Sequence, residues 1–61
     1  MLVCSADYAN NNDLEILAYI RGMAVSGCAP EIMGIGPVLS SQKALKRAGV
    51  NLGDVDIIEM N

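Results

Sequence analysis

The stretch from Pro30 to Gly49, PEIMGIGPVLSSQKALKRAG, constrains this chain more than any other. It reads as a glycine-rich turn feeding a helix whose two ends are both marked. Gly36 suits the N-cap, and Pro37 the first helical position, where the missing N–H is not needed and the fixed φ already fits. Lys43, Lys46 and Arg47 gather in the last turns, where cations meet the partial negative charge of the helix end. Gly49 supplies the left-handed residue that commonly closes a helix. The spacing predicts a helix over 37–48 with Val38, Leu45 and Ala48 facing inward, Ser41 on the same face and Ala44 beside it. That stripe is thin, so the helix must lean closely on whatever it packs against.

The segments around this helix read as strands. Met1 to Cys4 is a short apolar run, predicted as a strand over 1–4. Ser5 is an N-cap for a short helix over 6–12, which Asn10, Asn11 and Asn12 weaken by competing for backbone hydrogen bonds. Leu14 to Gly27 is ambiguous. Leu14, Leu17, Ile20 and Ala24 recur at helical spacing, yet the alternation equally suits a strand over 17–26. In the strand reading, one face carries Ala18, Ile20, Gly22, Ala24 and Ser26, mostly small, which admits close approach by another element. Gly22 argues against a helix interior. Gly27 to Pro30 forms a turn, and Glu31 to Met33 a single helical turn. After the main helix, the NLGD loop turns at Gly53. Residues 55–60 then read as a buried strand, with Val55, Ile57 and Glu59 on one side and Asp56, Ile58 and Met60 on the other. Strand, helix and strand make a β-α-β unit with a right-handed crossover, so the expected class is α/β.

Size and composition set these elements in a larger frame. At 61 residues the chain is one domain at most, and domains this small bury only about 60% of their unfolded surface. Hydrophobic residues make up 52% of it, with no Trp or Phe and two Tyr. Its mean hydropathy is +0.37. Apolarity built from small aliphatics suits strands covered on both faces. It does not suit a miniature domain, which needs large aromatics, disulfides or a metal. The chain reads as one partial domain, a piece of a bigger core.

Charge and motifs exclude more than they identify. A net charge of −3 and a pI near 4.4 argue against nucleic-acid binding. The longest apolar run, Ile16 to Ile20, falls far short of the ~20 residues of a membrane span. MLVCSAD has neither a positive n-region nor a long apolar core, so it does not read as a signal peptide. Cys4 and Cys28 form no C-x-x-C pair, and without histidine a zinc site is not expected. Free thiols in a reducing cytoplasm are the expectation. Gly34-Ile35-Gly36 lacks the third glycine of a dinucleotide loop. Ser40 and Ser41 have no base partner. Asp56 and Glu59 point to opposite sides of a strand, so Asp54, Asp56 and Glu59 make no acidic site. On chemistry alone these residues name no function.

The run GCAPEIMGIGPVLSSQKALKRAGVNLGDVDIIEMN closely resembles the thiolase family, the acetyl-CoA acyltransferases of fatty-acid β-oxidation and related pathways. Such proteins carry a turn like Gly27 to Pro30, a Met-Gly-x-Gly-Pro run like Met33 to Pro37, and a helix ending in Ala-Gly like Ala48 and Gly49. An acidic loop follows, then a strand reaching Asn-Glu-Ala-Phe, whose first residue is matched by Asn61. The resemblance covers nearly the whole chain and is looser before Leu17. It implies that residues 1–5 end the N-terminal half of the fold and residues 14–61 begin the C-terminal half. It also favours a strand over 17–26.

The resemblance implies a mechanism for the complete enzyme. A cysteine takes an acyl group from a 3-oxoacyl-CoA, acetyl-CoA leaves, and a second CoA thiol accepts the acyl group. Coenzyme A is thus a substrate, and no other cofactor is expected. Asn61 matches the asparagine that holds an oxyanion-hole water, and Met33 a methionine lining the pantetheine and acyl end of the pocket. Cys4 and Cys28 match neither catalytic cysteine. The implied partners are acyl-CoA, CoA, the remainder of a thiolase chain and, for the complete enzyme, further copies of itself. The 61 residues alone are expected to be inactive. The rival expectation is a small non-enzymatic α/β interaction module that pairs through strand edges.

Overall fold

The helix foreseen after Pro37 is the longest element of the computed structural model, which describes all 61 residues. It spans Gly36–Ala48 and is here called α2. Its C-terminal end closes as the sequence requires. Gly49 takes φ 68° and ψ 32°, a left-handed conformation that costs glycine nothing. This turns the Gly49 N–H onto the Lys46 carbonyl at 3.2 Å and the Val50 N–H onto the Leu45 carbonyl at 3.0 Å. Those two bonds satisfy carbonyls that the helix end would otherwise leave without partners.

The N-terminal end differs from expectation. Gly36 does not cap α2 but already belongs to it, at φ −50° and ψ −42°. A 3-10 helix, Pro30–Ile35, runs directly into α2, and the Gly36 N–H donates to the Met33 carbonyl. A carbonyl from the preceding turn thus does the work of a side-chain cap.

The short helix α1 spans Ala6–Asn11, and the Ser5 hydroxyl accepts from the Tyr8 N–H at 3.1 Å. The asparagines end this helix without abolishing it. The Asn12 side-chain amide donates to the Tyr8 carbonyl at 2.9 Å, and Asp13 turns the chain at φ 52°.

The strands expected at 1–4, 17–26 and 55–60 are absent, and the α/β class falls with them. The regular elements are α1, α2 and two 3-10 helices, Pro30–Ile35 and Leu52–Asp54. A strand exists only through the ladder it forms with a neighbour. Of 24 backbone–backbone hydrogen bonds, 15 lie within the helices, and the other 9 join residues close in sequence. Alternation in residues 17–26 and 55–60 marks side chains suited to a pleated face. No second segment lies alongside to exchange backbone hydrogen bonds with them.

Tertiary packing centres on α2. Gly36, Ser40, Ala44 and Ala48 recur every fourth residue and are half-buried, as are Ala24 and Ser26 opposite them. Residues 22–26 run along this stripe antiparallel to the helix. A Cβ placed on Gly22 would lie 2.9 Å from the Ala44 carbonyl oxygen and 3.2 Å from the Ala48 Cβ. Arg47 Nη1 donates to the Met23 carbonyl at 2.7 Å, Lys43 Nζ to the Val25 carbonyl at 3.5 Å, and the Ser26 hydroxyl to the Gly36 carbonyl at 3.2 Å. Four helical residues advance ~6 Å and two extended residues ~6.6 Å. That near match lets side chains four apart on α2 reach carbonyls two apart beside it.

The expected inward stripe is therefore only partly correct. Ala44, Leu45 and Ala48 are half-buried, but Val38 remains 58% exposed and Ser41 is exposed. Val38 and Ser41 face a groove, while the small residues face a neighbour.

Little else is buried. Ala9, at 5% exposure, is the one residue fully inside. The radius of gyration is 15.1 Å, against about 10.5 Å for a compact domain of this length. The accessible surface is 5757 Å², where a compact protein of this mass exposes about 3,800 Å².

Candidate functional site

Two open grooves flank the packed centre. The first lies between Met1–Cys4 and Leu14–Ala18, reaching Ile20, and is about 410 Å³ in volume. Ten of its eleven lining residues are hydrophobic; Glu15 is the exception. The second, about 990 Å³, runs between α2 and the segment after it. Val38, Ser41 and Leu45 form one wall, and Val55, Ile58 and Met60 belong to the other.

The two residues singled out by resemblance stand near opposite sides of this second groove, and neither lines it. Met33 sits on the 3-10 helix Pro30–Ile35 and is 77% exposed. Its neighbour Gly34 borders the groove. Asn61 is exposed, and its neighbour Met60 borders the same groove. The fold thus brings the flanks of Met33 and Asn61 to one cleft without bringing the two side chains together in it.

Ser40 serves the fold. The Ser40 hydroxyl donates to the Gly36 and Pro37 carbonyls, both at 3.3 Å, a bond pattern internal to the helix. Neither Gly34 nor Gly36 has a positive φ. Gly34-Ile35-Gly36 is a helical turn entering α2, without the backbone reversal of a phosphate-cradling loop. Cys4 and Cys28 are free and exposed. The Cys28 thiol lies 3.9 Å from the Ile32 carbonyl and 3.5 Å from where a Gly36 Cβ would stand. No group of three His, Cys, Asp or Glu side chains converges. No helix is long and apolar enough to cross a membrane.

Sequence patterning missed the role of Lys43 and Arg47. Both sit where the helix dipole favours cations, yet their ammonium and guanidinium groups reach across to carbonyls of residues 23–25. The signal was present in their four-residue spacing, but its target could not be read without the neighbouring segment in place.

Residues 14–61 match the protein family described as thiolase, C-terminal domain. Over all 61 residues the chain is 54% identical to a 3-ketoacyl-CoA thiolase of Vibrio parahaemolyticus, covering 16% of that protein. It is 56% identical to a 3-ketoacyl-CoA thiolase of Aliivibrio fischeri and 57% identical to one of Aeromonas hydrophila, again covering 100% of this chain and 16% of each relative. No solved structure matches the chain.

Proposed function

The chain belongs to the thiolase family, and from that premise we propose that its 61 residues are a structural piece of an enzyme transferring acyl groups between 3-oxoacyl-CoA and CoA. The observation that carries this reading is the 54–57% identity to 3-ketoacyl-CoA thiolases along the full length of the chain. The chain spans 16% of the length of those relatives, so the activity belongs to a longer polypeptide.

In that polypeptide a cysteine outside this segment attacks the 3-oxo carbonyl carbon of the substrate. Carbon–carbon cleavage then releases acetyl-CoA, and a CoA thiol takes the acyl group from the cysteine. The histidines that the family resemblance implies for the proton transfers are absent from these 61 residues. Its own contribution would be positional. Asn61 would hold an ordered water that donates to the thioester oxygen as charge develops there, and Met33 would fill an irregular apolar gap at the acyl end of the pocket. Coenzyme A would act as substrate, with further copies of the full enzyme as partners. The exposed free thiols Cys4 and Cys28 suit a reducing cytoplasm.

The test is a graft in which these 61 residues replace the matching stretch of the Vibrio parahaemolyticus thiolase. The graft should cleave acetoacetyl-CoA in the presence of CoA, and the isolated chain should not. A folded but inactive graft, or turnover by the isolated chain above a buffer blank, would overturn the reading. Within the graft, Asn61→Ala should lower kcat by about 10²–10³-fold with little change in melting temperature. If Asn61 served only packing, stability would fall by about 1 kcal/mol and kcat would hold within a few fold. Met33→Ala should alter the preference between short and long acyl substrates. Lost stability with an unchanged preference would assign Met33 to packing alone.

A further inference from the structure

We draw no further inference here: the strongest candidate, the apolar groove between Met1–Cys4 and Leu14–Ile20, is an unpartnered face, and nothing in the structure shows what covers it.

Discussion

Helix α2 has a closed side and an open side. On the closed side, the half-buried Gly36, Ser40, Ala44 and Ala48 line the helix, Gly22 meets Ala44 and Ala48 at backbone distance, and three side-chain hydrogen bonds to residues 23–26 and Gly36 fix the register. On the open side, Val38 is 58% exposed and Ser41 exposed. The closed side carries almost no hydrophobic bulk, and the open side carries more, yet apart from half-buried Leu45 the open side is the less covered. Small residues let two backbones touch, so a short segment is enough to complete the contact. Aliphatic side chains gain about 25 cal/mol per Å² only when a broad counter-surface removes them from water. A piece of chain can therefore finish a small-residue interface by itself. Its large aliphatic faces stay unfinished.

That contrast breaks most sharply at Leu17, which is 85% exposed on the rim of the first groove. Leu17→Ala should leave the circular dichroism of the isolated chain unchanged. If the rest of the grafted enzyme buries this face, the substitution should cost about 2–5 kcal/mol there, as for other buried leucines. Equal and negligible effects in both settings would mean that the face stays wet in the enzyme too.

Gly22 probes the closed side. A methyl group there would press on the Ala44 carbonyl oxygen and on Ala48, both parts of a rigid helix. Gly22→Ala should destabilise the graft by about 1–3 kcal/mol through overpacking. The control is Gly27→Ala, since a Cβ at Gly27 meets nothing within 4 Å. Unfolding midpoints of the two variants should separate clearly, and coincidence would refute the close approach.

The smallest expected effects belong to the two cations. Arg47→Ala removes a 2.7 Å hydrogen bond to the Met23 carbonyl and should cost about 1 kcal/mol, because the bond is exposed to water. Lys43→Ala removes a 3.5 Å contact to Val25 and should cost under about 0.5 kcal/mol, near the limit for surface substitutions. Urea midpoints in the reverse order would show that reach along the helix, not bond length, sets their value.

Both helices were legible because their signals are local. Ser5 caps α1 through its own neighbour Tyr8, and Gly49 closes α2 through Lys46 and Leu45. The small face containing Gly22, Ala24 and Ser26 was legible as a surface for close approach, although its partner was not. The strands were misread because alternation describes a side chain's surroundings and says nothing of who pairs with the backbone. Met33 and Asn61 could be named only by likeness. Neither carries a local feature that marks a binding site, and both stand exposed beside a groove that they do not line.

The sequence by itself determined where α1 begins and where α2 ends, which glycine turns left-handed, which faces are small and which aliphatic, and the thiolase kinship. Each of these depends on residues within about one helical turn or on the order of residue types. Only the tertiary structure decided that α2 leans on residues 22–28 by its small stripe, that Lys43 and Arg47 are spent on carbonyls there, and that no strand forms. Those outcomes depend on which segments meet across ten or more residues. A hydrogen-bond ladder or a buried aliphatic face needs a partner that no residue can specify from its own position.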